Sequence, residues 1–341
     1  MSDSFVVLAH GSGGRLTHDL IREVFARHFR SPLLATQDDS AVWSPVVPKG
    51  ARLAMTTDSY VVQPLFFPGG DIGQLAVCGT VNDLAMVGAR PLYLSAGFIL
   101  EEGLSFADLE RVVQSMARSA TDSGVEIVTG DTKVVDRGRA GGDGLFINTA
   151  GVGIVPPGVS LSGANARVGD RVILSGPIGM HGMAIMTLRE GLRFSLPLES
   201  DCAPLNGLVE TMLEAGPSIR CLRDPTRGGL ATTLNEIAGQ SRVGIEVDEG
   251  SIPVPEAVRA ACELLGLDAL YVANEGKLVA IVPAADEERV LEAMRGHPLG
   301  QQATSIGRVV SDHAGRVVLA TTLGARRVLD MLSGALLPRI C

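Results

Sequence analysis

The 341-residue chain has little aromatic content, only 4%, and no uninterrupted apolar stretch near the ~20 residues that span a bilayer. A membrane protein is therefore not expected. The N-terminus has no basic region followed by a signal-length apolar run, so no secretory leader is expected. The five cysteines (Cys78, Cys202, Cys221, Cys262 and Cys341) are scattered singly, with no C-x-x-C pair. That excludes a compact zinc pattern, and dispersed, odd-numbered thiols fit the reducing cytoplasm better than a disulfide framework. The six histidines show no metal-ligand spacing. No P-loop and no complete G-x-G-x-x-G occurs, and neither a short repeat nor a low-complexity segment is present. A formal net charge of −9 argues against non-specific nucleic-acid binding.

What is present is glycine, 41 residues of it, with 46% hydrophobic and 20% charged residues. This composition suits a loop-rich α/β protein that handles small ligands, and the length predicts two domains. Leu16, Leu20, Ile21, Val24 and Phe25 recur at helical spacing and predict an amphipathic helix over 15–29. Leu53 to Thr57 reads as a strand ending at Asp58. Ser105 with Asp108 forms a capping-box-like start for a helix carrying Leu109, Val112, Val113, Met116 and Ala120. Strands are expected at Val125 to Thr129, ending at Gly130-Asp131, and at Leu145 to Val152. Pro156-Pro157-Gly158 and the small residues to Ala164 read as a linker. Beyond it, strands near 171–175, 243–247, 277–282 and 304–309 alternate with helices from about His181 and near 203–215, 229–238, 255–265 and 286–295. Two mixed α/β domains joined near residue 160 are expected.

Carboxylates fall where the chain is expected to reverse: Asp38-Asp39, Asp58, Asn82-Asp83 and Asp131. Two of them follow predicted strands, where α/β folds place ligand contacts. Leu75 to Val87 is apolar nearly all round, so Asp83 is expected in a buried helix, where a lone carboxylate needs a partner or a cation. Hard oxygen donors without histidine or cysteine favour Mg²⁺, and a metal is what allows clustered carboxylates to accept a nucleotide. His10-Gly11-Ser12-Gly13-Gly14-Arg15 can cradle phosphate at a helix start or serve as a flexible loop. Gly176 to Gly182 opens a second helix in the same way. In Arg223-Asp224-Pro225-Thr226-Arg227-Gly228-Gly229 two arginines flank an aspartate before a Gly-Gly helix start, either an anion-and-metal corner or a salt-bridged turn. Lys133, two residues past Asp131, can meet phosphate or act as a proton carrier, and Glu275 sits at a turn before a strand; as a rule both residue types in such places are solvated surface residues. Cys341 follows Leu337-Pro338-Arg339-Ile340 and is expected on a swinging tether. It is not a prenylation signal, and its neighbouring carboxylate disfavours the thiolate, so its reactivity depends on a site that receives the tail.

Taken in order along nearly the whole chain, His10 to Gly14, Asp38 to Val42, Thr56 to Asp58, Asn82 to Met86, Thr129 to Lys133, Arg223 to Leu230 and the Pro-Arg-Ile-Cys ending resemble the HypE family of hydrogenase maturation factors. The aspartate motifs resemble the wider ATP-dependent superfamily of aminoimidazole ribonucleotide synthetase and selenophosphate synthetase; the terminal cysteine selects the family. The resemblance implies an α/β (α+β) fold with a β-rich N-terminal domain over 1–158 that dimerises through a shared barrel. It further implies an α/β domain over 159–330, a mobile tail over 331–341, and ATP at the domain junction. It implies that a carbamoyltransferase (HypF) loads a carbamoyl group on Cys341, that ATP-driven dehydration yields a thiocyanate, and that the cyanide passes to iron on a HypC–HypD complex. By motif match, Asp39, Asp83 and Asp224 are assigned to Mg²⁺. Gly11, Ser12, Gly13, Gly14, Asp38, Asp58, Asn82, Asp131, Arg223 and Arg227 are assigned to ATP, and Lys133 and Glu275 to proton removal beside Cys341. A cytoplasmic homodimer is expected, with neither nucleic acid nor membrane as partner. The alternatives are another amide- or carbonyl-activating enzyme of the superfamily, or a thiol carrier without catalysis. Ser12 counts against a selenophosphate synthetase, which needs cysteine or selenocysteine in that loop.

Overall fold

The computed structural model describes residues 5–12, 14–36, 40–44, 46–138, 144–192, 194, 198–216 and 218–331. They divide into two compact units. One runs to Leu84 and resumes over Ala89–Pro157; the other takes Ala85–Gly88 and continues from Gly158.

The first unit is built on a four-stranded sheet of β1 (Arg52–Tyr60), β2 (Arg90–Glu101), β3 (Glu126–Val135) and β4 (Leu145–Val155), in the order β1-β4-β2-β3. β4 lies antiparallel to β1 and β2, and β2 lies parallel to β3. The parallel pair requires a crossover helix, which is α3 (Phe106–Ser123). Ser105 caps it by accepting the Ala107 and Asp108 N–H groups, and Gly124 ends it at φ 69°. The N-terminal helix starts as α1 (Arg15–Leu20) and widens into a π-helical stretch over Ile21–Ala26.

α2 (Ile72–Met86) is apolar nearly all round and covers one face of the sheet. Its seat is close. A Cβ at Gly79 would strike the Tyr60 ring, and Thr149 Oγ1 donates to the Ala76 carbonyl at 2.9 Å. β1 does not stop at Asp58 as expected, because its register with β4 runs on to Tyr60 opposite Ile147. The Asn148 side chain also donates to the Asp58 carbonyl at 2.8 Å. β3 likewise runs through Gly130-Asp131, in register with β2 as far as Val135 opposite Glu101. Both aspartates are therefore strand residues rather than turn residues.

The second unit holds a seven-stranded sheet. Its strands are β5 (Arg171–Leu174), β6 (Cys221–Arg223), β7 (Gly244–Asp248), β8 (Val279–Val282), β9 (Thr304–Val310), β10 (Val317–Ala320) and β11 (Arg326–Leu329), in the order β11-β10-β7-β9-β5-β8-β6. Only β10 and β7 run parallel. Alternation divides each central strand between two cores. Val172, Leu174, Val279 and Ile281 meet Leu230, Leu234 and Ile237 of α6 (Gly229–Ser241). Ile173, Ala280 and Val282 meet Leu208 and Met212 on the helix Asn206–Glu214, and Val290 and Met294 on the helix Glu287–Arg295. Burial on both faces explains why these strands read as continuous apolar runs.

Candidate active site

In the first unit the glycine-rich turn is pressed on β3. Leu8–Gly11 forms one 3-10 turn, and a Cβ at Gly11 would sit 2.6 Å from the Val134 backbone nitrogen. His10 is buried, accepts the Val7 N–H at Nδ1 (3.0 Å) and stands edge-on to Phe106. Ser12 Oγ donates to the Ala9 carbonyl at 2.9 Å, and Gly14 opens α1 without a side-chain cap. Gly13, Asp38, Asp39 and Cys341 lie outside the described residues.

Asp83 on α2 accepts a hydrogen bond from Thr56 Oγ1 at 2.7 Å, and Asn82 beside it is buried. Thr56, reaching across from β1, thus gives this carboxylate on a largely apolar helix a hydrogen-bond partner. Asp58, two residues from Thr56, shares the face of β1 that meets α2; it accepts the Ser59 N–H at 2.7 Å. Asp131 lies on the opposite face. Ser59, Asn148, Gly97 and Asp131 form one lateral row across the four strands, and Lys133 follows two residues on. Lys133 Nζ lies 2.8 Å from Asp131, both side chains being largely exposed. The Lys133 hydrogen bond holds the Asp131 carboxyl below its ordinary pKa; burial acts against it, and the Thr132 N–H and the Lys133 charge add to the lowering.

In the second unit three separate segments are tied together by Asn274, which is fully buried. Its Oδ1 accepts the Gly179 N–H at 2.6 Å; its Nδ2 donates to the carbonyls of Pro225 at 2.9 Å and Val272 at 3.1 Å. The Asn274 N–H also reaches the Pro225 carbonyl, at 3.1 Å. The Gly176 to Gly179 turn, the Arg223 to Gly229 corner and the Ala273 to Lys277 segment therefore share one anchor. Gly228 and Gly229 enter α6 at φ 77° and 59°. At Gly229 a Cβ would also lie 2.7 Å from the backbone of Leu270 to Val272, so no other residue fits. Arg223 extends from β6 toward Glu236, 3.6 Å away. Asp224 and Arg227 each make side-chain or backbone interactions of their own.

Glu275 and Lys133, alike in the sequence, differ in the structure: Lys133 is 63% exposed and Glu275 only 4%. The Glu275 N–H donates to Asp201 Oδ1 at 3.2 Å, and Asp201 pairs with Lys277 Nζ at 3.2 Å. Sequence reasoning missed Asn274 and Asp201 as anchors. Asn-Glu-Gly-Lys has the composition of an exposed turn, and nothing local announces partners some 50 to 95 residues away.

Among the described residues, no three histidine, cysteine, aspartate or glutamate side chains gather as a metal cage. Mg²⁺ does not need one, since it keeps several waters and takes one or two carboxylates together with phosphate oxygens. Single carboxylates such as Asp83 and Asp224 therefore suit it, whereas zinc would want nitrogen or sulfur donors. Cys78, Cys202, Cys221 and Cys262 are all buried. Burial pushes Cys221 up to about 12, and burial together with Asp268 and Glu263 pushes Cys262 up to about 11. Both are poor nucleophiles at neutral pH.

Residues 37–155 match the family AIR synthase related protein, N-terminal domain, and residues 167–320 match AIR synthase related protein, C-terminal domain. Both units are thus of the AIR synthase related class. The carbamoyl dehydratase HypE of Azotobacter vinelandii is 60% identical over 98% of this chain and 97% of its own length. A crystal structure of the hydrogenase maturation protein HypE in complex with ATP superposes with a TM-score of 0.93 at 54% identity, covering 98% of this chain and 99% of that one. A HypE–HypF complex gives a TM-score of 0.79 at 48% identity, over 92% and 99%. The chain belongs to the HypE family of carbamoyl dehydratases.

Proposed function

We propose that the protein is an ATP-dependent carbamoyl dehydratase that supplies cyanide for hydrogenase maturation. The observation that carries this reading beyond the family likeness is Glu275. It is a carboxylate buried at 4% exposure, one residue from the asparagine that anchors the Asp224-Pro225 corner. A buried acid held beside an anion-and-metal corner suits removal of a proton from a bound amide.

The substrate is a carbamoyl group on the Cys341 sulfur. Its oxygen attacks the γ-phosphorus of ATP, and ADP leaves with the electrons of the broken P–O bond. One proton leaves the nitrogen. The second nitrogen proton then departs as the carbon–oxygen bond breaks, its electrons going to phosphate, and a C≡N bond remains on sulfur. The sum is S-carbamoyl plus ATP to thiocyanate plus ADP, phosphate and a proton. Glu275 and Lys133 are the candidate proton acceptors. Gly11, Ser12, Gly13, Gly14, Asp38, Asp58, Asn82, Asp131, Arg223 and Arg227 are assigned to the nucleotide. Asp39, Asp83 and Asp224 would hold Mg²⁺, which when bound neutralises charge on the phosphates.

We infer a homodimer, with the open face of the sheet as its seam. Asp58 and Asp131 project from opposite faces of one sheet, so a single copy does not present both to one ligand. A second copy seated on the open face would meet the side of the sheet that carries Asp131. That face also exposes Leu53 and Met55, at 65% and 75%. HypF is the proposed carbamoyl donor, by likeness to the HypE–HypF complex, and a HypC–HypD complex in the cytoplasm is the proposed acceptor of cyanide.

The test is intact-protein and peptide mass spectrometry after carbamoylation by cyanate. The buried Cys221 and Cys262 should stay unmodified, and Cys341 should gain a carbamoyl group that loses one water only with ATP and Mg²⁺. Cys341→Ala should show neither species. An ATP-dependent loss of water mapping to any other cysteine sinks the mechanism.

A further inference from the structure

We propose that Asp201 is a positioning residue of the dehydration reaction, holding Glu275 in place through its backbone while Lys277 holds Asp201. The inference rests on the reading of Glu275 as a proton acceptor. Asp201 enters the site from an irregular segment well away in sequence, and its side chain is only 6% exposed. Four contacts fasten it to the Glu275 segment. Asp201 Oδ1 accepts the Glu275 N–H at 3.2 Å. The Ala203 N–H returns to the Glu275 carbonyl at 3.3 Å. Lys277 Nζ lies 3.2 Å from Asp201 Oδ2 and donates to the Gly276 carbonyl at 3.0 Å. Gly276 is packed so tightly on the Asp201 carbonyl that a Cβ there would overlap it.

The charge pair is poorly explained as a stabilising device. Lys277 is itself only 12% exposed, and burying an ammonium and a carboxylate together gains little over an apolar pair of the same volume. Oδ2 takes the ammonium as an ion pair without a hydrogen bond, which leaves it short of a donor. What the arrangement does supply is orientation. Glu275 has Asn274 on its N-terminal side, bonded to Pro225 and Gly179, and Asp201 on its own amide. Its backbone is thus fixed from two directions, which limits where its carboxylate can swing. Lys277 also lies along Gly176, its Cε 3.4 Å from where a Cβ would stand, so the same pair touches the glycine-rich turn before α4 (Met180–Arg189).

The experiment measures single-turnover loss of water from the cyanate-carbamoylated full chain, as a function of ATP concentration. Asp201→Ala should slow the step at least tenfold, with the half-saturating ATP concentration within twofold of the parent. The double variant D201N/K277M keeps an oxygen acceptor for the Glu275 N–H and removes both charges; it should recover most of that loss. A parent-like rate in D201A overturns the proposal, as does a double variant no faster than D201A. Should D201A not fold, K277M carries the comparison. It should slow the step at least threefold and speed hydrogen exchange of the Glu275 amide, and no change in either overturns the proposal. Glu275→Gln separates the two readings. Full activity in E275Q removes Glu275 as proton acceptor, whereas an inactive E275Q beside a fully active D201A leaves Glu275 in place and removes only Asp201.

Discussion

Replacing Asn274 by alanine is the most informative single perturbation of the second unit. The side chain is fully buried and makes three hydrogen bonds, to Gly179 N–H, the Pro225 carbonyl and the Val272 carbonyl. Pro225 keeps a donor, because the residue-274 amide also reaches it. Gly179 N–H and the Val272 carbonyl lose a partner in the interior, at about 1–3 kcal/mol each. With a smaller loss at Pro225 the sum is about 4 kcal/mol. For domains of this size about 1 kcal/mol moves Tm by about 2–4 °C, so a fall of about 8–16 °C is expected. Asn274→Asp should be no milder, since it keeps the acceptor for Gly179 but turns a buried carboxylate toward two carbonyls. The measurement is differential scanning calorimetry of the full chain, following the transition of the second unit. A shift under about 3 °C in both variants refutes the anchoring role. Because the same side chain sets the Arg223 to Gly229 corner, N274A should also raise the ATP concentration needed for half-maximal turnover.

Two further outcomes are expected. Burial alone would raise the pKa of Glu246, but hydrogen bonds from Arg308, His313 and Arg326 outweigh it and leave the group lowered. A lowered carboxyl contributes stability above its unfolded pKa and loses it as pH falls through the folded value. Glu246→Gln should therefore be less stable than the parent at pH 7, and the gap should close on acidification; a gap constant from pH 7 to pH 3 in urea melts contradicts the assignment. If a second copy completes the nucleotide site, Asp58 and Asp131 should complement each other between subunits. Asp58→Asn and Asp131→Asn homodimers should each be nearly inactive, and mixing them should restore up to about a quarter of parental ATP turnover per total chain. No recovery in a mixture shown to exchange subunits defeats the shared-site reading.

The helices were legible where a periodic apolar stripe met a capping signal. Ser105 with Leu109, Val112, Val113 and Met116 specified α3, and the buried, largely apolar character of α2 followed from Leu75 to Val87. β5, β7, β8 and β9 of the second unit were legible as apolar runs, whereas the short strands β6, β10 and β11 were not. β2, the longest strand, was not. Pro91 and Gly97 interrupt it, and its apolar residues face both sides without strict alternation. The ends of β1 and β3 were placed too early for a related reason. Asp58 and Asp131 look like terminators, yet each is carried by a neighbouring strand whose pairing the local sequence does not contain. The candidate residues Glu275 and Asp83 were readable as types, but their settings were not. Burial of Glu275 depends on Asp201 and Asn274, and the partner of Asp83 is Thr56 on another element.

The placing of β4 between β1 and β2 has a consequence for synthesis. Arg52 pairs with Val155 and Tyr60 with Ile147, so about a hundred residues must leave the ribosome before β1 finds its neighbour. Until then β2 and β3 can pair, but β1 waits as an unzipped edge bearing Leu53 and Met55, a form open to misassociation. A nascent chain interrupted before Leu145 lacks both antiparallel seams at once, because the single missing strand serves each of them.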